Sequence, residues 1–233
     1  MGVTYNSTID YYSTKMITSG LVLHLDAANP ASYPGSGDIW YDLTGNNRNG
    51  IKLGTQSPNY PCFNSRGYFN FIGGIIANNY SRFQVSAIPS MTEMTAILWY
   101  RSTSGGAAFR MQNSDFEITT GSTTRFAAGA NYNDIATYIN MPSAMNGNWH
   151  QSAFTYNGYS ISAYIDGNYG SSAIRAGSVV TSTASGTLNI GTRSDSYFEH
   201  FFGDIAQLVI YNRCLTSTEI KYMYDLFYRR YLY

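Results

Sequence analysis

The sequence predicts an all-β chain, an antiparallel β-sandwich finished by one short C-terminal helix. Three observations predict it. Runs of β-branched and aromatic residues alternate with polar ones at period two. Gly, Asn, Asp or Ser breaks these runs at intervals of about ten residues, the rhythm of a sandwich or barrel. Helical periodicity is confined to one segment near the C-terminus.

In chain order, the strand candidates begin with Leu21–Asp26, Gly67–Ile72 and Thr95–Tyr100. Asp115–Thr119 and Arg125–Ala130 follow, then His150–Tyr156, Ser160–Ile165, Gly186–Ile190 and Asp204–Tyr211. Ser160–Ile165 alternates polar and apolar residues and runs into Asp166-Gly167, a turn signal, so it reads as one arm of a hairpin. Within Asp204–Tyr211 the apolar positions Ile205, Leu208 and Ile210 do not alternate cleanly, which fits a strand covered on both faces or one carrying a bulge. Thr216, with Glu219 three residues on, forms a capping box. The following Ile220, Met223, Tyr224, Phe227, Tyr228 and Tyr231 fall at three- and four-residue steps, predicting a helix from Ser217 to about Arg230. No fixed-period repeat or Pro/Ser-rich linker divides the chain. The expected organisation is an N-terminal arm over residues 1–18, one sandwich over 19–215 and an aromatic helix over 216–233, packed on the sandwich or on a partner.

The 233 residues are enough for a substantial core in one all-β domain. Fourteen basic and fourteen acidic residues cancel, so no electrostatic footprint for nucleic acid or an anionic membrane is expected. Charged residues make up 12% of the chain, about half the usual share, and Tyr, Gly, Ser, Thr and Asn take their place. Such a surface suits extracellular, virion or adhesive settings. No run approaches the roughly 18 apolar residues of a membrane span. The start, Met1-Gly2-Val3-Thr4-Tyr5, shows neither the basic nor the apolar region of a secretory signal. Cys62 and Cys214 lie in no metal-type spacing and read as two buried thiols, with one bridge as the alternative.

Three stretches carry a more specific signal. The first is Gly20-Leu21-Val22-Leu23-His24-Leu25-Asp26-Ala27-Ala28-Asn29-Pro30, followed by Trp40-Tyr41-Asp42-Leu43-Thr44-Gly45-Asn46-Asn47. The second is Asn148-Trp149-His150, leading to Phe154-Thr155-Tyr156 and Tyr164-Ile165-Asp166-Gly167. The third runs from Phe202-Gly203-Asp204-Ile205-Ala206-Gln207 through Tyr211-Asn212-Arg213 to Glu219-Ile220. In this order they resemble the concanavalin A-like lectin/glucanase superfamily in its laminin-G-type form, over about residues 20–220. The resemblance implies a concanavalin A-like antiparallel β-sandwich, or jelly roll.

Because the superfamily includes glucanases, the carboxylates are the decisive test. Retaining glycosidases need two carboxyl groups about 5–5.5 Å apart, and laminarinase-type members carry them as Glu-x-Asp-x-x-Glu. The nearest local pair here is Asp115-Phe116-Glu117, but Thr119 and Thr120 follow, so the pattern fails and both acids read as solvent-facing strand positions. His24, His150 and His200 are scattered, and no nucleophile elbow, phosphate loop or Cys/His metal spacing is present. The expectation is a non-enzyme. Lectin-like relatives also hold Ca²⁺ at a rim, and Asp26, Asp42 and Asp204 are the calcium candidates, although Ala206-Gln207 stands where relatives carry an acidic pair. Tyr41, Tyr132, Tyr159 and Tyr197, in loops rich in Gly, Asn and Ser, are the candidate sugar platforms. Trp40, Trp99 and Trp149 are assigned to the core.

The aromatic helix shapes the functional expectation. Tyr224, Phe227, Tyr228, Tyr231 and Tyr233 occupy more than one helical face, which marks them as candidate interface residues. Together with the resemblance, this suggests a non-enzymatic virion structural protein of a tailed phage, a capsid decoration or fibre component on the virion surface. Its partners would be copies of itself, in a homo-oligomer such as a trimer, and other virion proteins. The alternatives are a lectin module for cell-surface polysaccharide and a glycoside hydrolase.

Overall fold

A computed structural model describes residues 16–53, 61–72, 82–111, 116–120, 123–128, 137–142, 145–174, 186–192 and 200–232. The chain opens with β1 (Leu21–Asp26), β2 (Ile39–Trp40), β3 (Gly50–Leu53), β4 (Cys62–Asn64) and β5 (Tyr68–Ile72). It continues through β6 (Arg82–Ile88), β7 (Met94–Arg101), β8 (Gly106–Met111), β9 (Glu117–Thr120) and β10 (Thr123–Ala128). The last strands are β11 (Thr137–Pro142), β12 (His150–Tyr156), β13 (Ser160–Ile165), β14 (Asn168–Ile174), β15 (Gly186–Ile190) and β16 (Phe202–Tyr211). Helix α1 (Ser217–Phe227) and a 3₁₀ turn over Tyr228–Tyr231 close the chain.

Two antiparallel sheets face each other. The first has the order β14-β13-β12-β7-β16-β5-β4, with β1 also paired to β16, and the second runs β11-β10-β9-β8-β15-β6-β3-β2. The predicted sandwich is therefore present. Four predicted strands, Leu21–Asp26, His150–Tyr156, Ser160–Ile165 and Gly186–Ile190, coincide with β1, β12, β13 and β15 to the residue. Between the sheets, Leu23, Leu25, Trp40, Phe69, Phe83, Leu98, Phe109, Phe154, Leu188 and Ile210 are almost completely excluded from solvent.

The first sheet is buried on its outer face as well, because α1 covers it. Ile97, Trp99, Ala153, Ala206, Val209 and Tyr211 point outward and pack under Ile220, Met223 and Phe227. The irregular pattern of β16 now has both of its predicted causes. All of Ile205–Tyr211 is buried, and the register against β7 slips between Ile205 and Gln207. That bulge places Ala206 and Gln207 together on the outer face, so Asp204 before it and Gln207 after it share one side.

The capping box forms as read. Thr216 Oγ1 accepts from the Glu219 amide at 3.2 Å, and Glu219 Oε2 accepts from the Thr216 amide at 2.8 Å. Arg213 adds a fork of 3.0 and 2.6 Å to the same carboxylate, which lowers the pKa of Glu219 to about 2. The Asp166-Gly167 signal is the two-residue loop between β13 and β14, with both residues at positive φ (53° and 72°). Any Cβ on Gly167 would come within 2.8 Å of Tyr224 Cβ, so this glycine also lets the helix settle on the turn.

Several expectations are corrected. Glu117 is not solvent-facing: it is buried with Arg110, Nη1 lying 3.3 Å from its Oε2. Asp115 lies outside the described residues. Cys62 is exposed and Cys214 half-buried, both as free thiols, so neither the doubly buried reading nor the bridge holds. Burial pushes the Cys214 thiol up to about 11. The N-terminal arm over residues 1–18 lies outside the described residues up to residue 15.

Candidate functional site

The outer face of the first sheet collects polar residues that are far apart in sequence. Antiparallel register sets Asp204 directly opposite Asn70 of β5 and Arg101 of β7. Asp204 accepts from Asn70 Nδ2 at 2.8 Å and pairs with Arg101 Nε. On the neighbouring pair, Asp26 lies opposite Gln207. Its buried carboxylate is gripped by Arg230 from the 3₁₀ turn, at 2.7 Å to Oδ1 and 2.9 Å to Oδ2, a bidentate fork. His24 lies beside them, with Nε2 3.2 Å from Gln207 Nε2. That arrangement suits a neutral ring accepting there, and burial lowers its pKa below the ordinary value.

Aromatic rings continue this surface as a chain. Tyr68 meets Trp149 at 5.5 Å, Trp149 meets Tyr231 at 4.9 Å, and Tyr231 stacks on Trp99 at 4.4 Å. Trp99 then stacks on Tyr224 and Tyr224 on Tyr228, each at 5.5 Å. The helical stripe proposed as an interface is thus largely engaged within the chain. Phe227 is 1% exposed, and Tyr224, Tyr228 and Tyr231 are half-buried, because the uncovered face of the first sheet needs them. Tyr233 lies outside the described residues. Exposed large apolar side chains of this region are Tyr222 and Leu232.

Two recesses adjoin at the edge of this layer, and Arg66 lines both. The larger is a cleft of about 270 Å³ between the loop after β1 and the turn from β4 to β5. Ala27, Ala28, Pro30, Tyr33, Pro34 and Phe63 make it mainly apolar, while Ser65 and Arg66 supply polar groups at the turn. Tyr33 is a buried wall here, its hydroxyl donating to Gly37 O at 2.8 Å, with Phe63 against it at 4.8 Å. Gly67 makes the approach of the two loops feasible: its φ is +87°, and a Cβ would stand 2.4 Å from Ala28 Cβ. The smaller recess, about 30 Å³, is lined by Arg66, Tyr68, Arg101, Trp149, Arg230 and Tyr231.

The predicted site residues are only partly drawn together. Asp26 and Asp204 are held by Arg230 and Arg101 behind the smaller recess. Asp42 instead organises its own loop, accepting from the amides of His24, Thr44 and Arg48 and from Thr44 Oγ1. Among the described residues no three His, Cys, Asp or Glu side chains gather where they could hold a metal ion. Tyr41 and Tyr159 are 41% and 48% exposed on separate loops, and neither lines a recess described above. Tyr132 and Tyr197 lie outside the described residues. Trp40 and Trp99 are core as expected, whereas Trp149 is only half-buried and borders the smaller recess. Arg66 and Arg101 were not anticipated from the sequence.

Taken together, a two-sheet antiparallel sandwich with rim clefts and an outer helical layer defines a lectin-like domain. A laminin-G family profile, described as concanavalin A-like lectin/glucanases superfamily, matches residues 73–221, more than half of the chain. The chain belongs to that superfamily. A search of curated protein sequences gives no match. Among solved structures, it is similar to one of botulinum neurotoxin type C, whose cell entry is dependent upon interaction with two ganglioside molecules. That match has TM-score 0.64 and 14% identity, covering 90% of this chain and 51% of the toxin chain. It is also similar to domain 4 of AbnA, an extracellular arabinanase from Geobacillus stearothermophilus, in complex with arabinotriose. There the TM-score is 0.59 and identity 18%, over 89% of this chain and 98% of the other. A third is a mutant of Trypanosoma rangeli sialidase displaying trans-sialidase activity, with TM-score 0.63, 15% identity, and coverage of 92% and 34%. The chain spans about half the length of the toxin chains it matches.

Proposed function

We propose that this chain is a non-catalytic carbohydrate-binding module whose sugar site is the cleft between the loop after β1 and the β4–β5 turn. The cleft itself carries the proposal. It offers an apolar wall for the face of a sugar ring, with Ser65 and Arg66 placed to meet hydroxyls. Its volume of about 270 Å³ lies near the lower end for small-molecule sites, a scale that suits a short saccharide. The likeness to the arabinotriose-bound domain supports the reading more than the toxin does. It spans nearly the whole of that domain, whereas half of the toxin chain lies outside the match.

The absence of catalysis is part of the proposal and rests on the acids. No carboxylate lines the cleft among the described residues, and glycoside hydrolysis in most families uses two. Glu117, Asp26 and Asp204 are each paired with an arginine. A glycan array followed by calorimetric titration tests the module, with Phe63→Ala expected to weaken the best ligand about tenfold or more. Product release from that ligand, or the same affinity in the Phe63→Ala chain, would overturn it.

A virion setting, as capsid decoration or fibre component, is the narrower reading. Its support now comes from Tyr222 and Leu232, 43% and 61% exposed, since the aromatic stripe is otherwise engaged inside the chain. Electron microscopy of the source particle with a specific antibody tests that setting, and sedimentation velocity tests self-association.

A further inference from the structure

We infer that the arginine-lined recess beside the cleft is an anion subsite, which admits the carboxylate or sulfate substituent of an acidic glycan lying in the cleft. The inference rests on the carbohydrate-binding reading above and specifies its ligand class. Three arginines, Arg66, Arg101 and Arg230, line a recess of about 30 Å³, against two partner carboxylates, Asp204 and Asp26. Among the described residues the cluster therefore carries one positive charge in excess. The two acids lie behind the arginines. Their side chains are 7% and 1% exposed, while those of Arg101 and Arg230 are 34% and 14% exposed. Asp204 anchors the Arg101 guanidinium from the buried side through Nε and leaves its other edge toward the recess, while Asp26 takes Arg230 in a bidentate fork.

Donors remain on that edge. Arg101 uses Nε on Asp204 and one Nη2 hydrogen on the Tyr68 hydroxyl at 3.1 Å, so its Nη1 group has no acceptor among the described residues. The guanidinium is clamped against two rings, 4.9 Å from the Tyr68 centroid and 5.2 Å from that of Trp149, which fixes the direction of those donors. Arg66 is exposed, and among the described residues no acid engages its guanidinium. Both of these guanidiniums at the recess have unused hydrogens, and a guanidinium's planar set of donors is what carboxylate and sulfate oxygens accept from.

The size of the recess decides between a whole ligand and a substituent. It is too small for a sugar ring, whereas the adjoining cleft is about nine times larger. Arg66 belongs to the wall of both, so a ring against Phe63 and Pro34 can turn an acidic group past Arg66 toward Arg101. A neutral glycan would leave these donors to water, and an acidic one would satisfy them. Selectivity for charge follows from that difference.

The test pairs uronic-acid, sialic-acid and sulfated oligosaccharides with their neutral counterparts, titrated against the whole chain by calorimetry. The acidic member of a pair is expected to bind at least about tenfold more tightly. Arg66→Ala should abolish that preference; because Arg66 also meets hydroxyls in the cleft, the neutral member weakens too, and the ratio of the two affinities is the quantity read. Arg101→Lys, which keeps the charge but loses the planar fork, should reduce it. Thermal midpoints of both variants confirm that the fold persists. Equal affinity for charged and neutral partners, or a preference that survives both variants, overturns the inference. If neutral glycans bind in a manner sensitive to Phe63→Ala but no acid preference exists, the subsite fails and the cleft reading stands. Acid binding that is lost with Arg66→Ala but indifferent to Phe63→Ala retains the subsite and removes the cleft. Binding of no glycan removes both.

Discussion

Asp26 and Arg230 stand 204 residues apart and meet as a nearly dry ion pair, which makes them the most consequential single contact of the outer layer. Asp26→Asn should destabilise the chain by about 3–5 kcal/mol, because it takes the Asp26 carboxylate away from the largely buried Arg230 charge. Replacing both, as Asp26→Leu with Arg230→Met, should recover most of that loss, and urea denaturation of the three chains checks both expectations. His24 adds a pH dependence of definite sign. Burial is the largest cause lowering its pKa, Asp26 and Asp42 pull it upward, and Arg230 pushes it down again. The folded state therefore favours the neutral ring. Stability is complete above the unfolded value of about 6.5 and falls as pH drops through it toward the folded pKa. His200 is lowered by burial too and contributes a slope of the same sign. The measurement is accordingly the difference between the wild-type chain and His24→Gln in urea midpoints at pH 7.5 and pH 5.5. Equal slopes would show that His24 titrates as an exposed histidine does. None of these pairings was legible in the sequence, since arginines at 66, 101 and 230 have no common spacing. Only the register of β16 with β1, β5 and β7, and its bulge, brings Asp26, Asp204 and their partners to one face.

At the scale of single elements, local chemistry was readable where it is complete in itself. Thr216 and Glu219 specify the start of α1 without help from the sandwich, and Asp166-Gly167 specifies the turn between β13 and β14. Thr216→Ala should cost about 1 kcal/mol by leaving an amide of the first turn uncapped. Glu219→Gln should also remove an acid-sensitive contribution. Because Arg213 and the Thr216 amide hold the carboxylate at about 2, its stabilisation is present above the ordinary carboxylate range near 4.3 and disappears as pH falls toward 2. Far-UV circular dichroism along an acid titration should show a shallower loss in this range for Glu219→Gln than for the wild-type chain. Strands whose pattern depends on distant neighbours were missed. β8, Gly106–Met111, is buried at every position and so shows no alternation, while β14, Asn168–Ile174, is almost wholly exposed and polar. β2, with two residues, and β4, with three, are too short to establish any period.

The whole molecule has three layers, and the third decides whether the domain can exist alone. A sandwich of this type commonly exposes the outer face of each sheet. Here the outer face of the first sheet presents Ile97, Trp99, Ala153, Val209 and Tyr211, which the helix and the 3₁₀ turn bury. The aromatic residues at the C-terminus thus resemble an interface in sequence because they are one, formed with the chain's own sheet. Deleting Ser217–Tyr233 should therefore do more than lower stability. It would uncover a contiguous apolar and aromatic surface and strand Asp26 without Arg230. The truncated chain is expected to self-associate at concentrations where the full chain sediments as a smaller species. Its tryptophan emission should shift to the red as Trp99 and Trp149 lose Tyr224 and Tyr231. Restoring the segment as a separate peptide should reverse both effects, provided it keeps Phe227 and Arg230. A truncated chain that sediments like the full one, with unchanged emission, would mean that the third layer contributes little to closing the sheet. The stripe would then again be available to a partner.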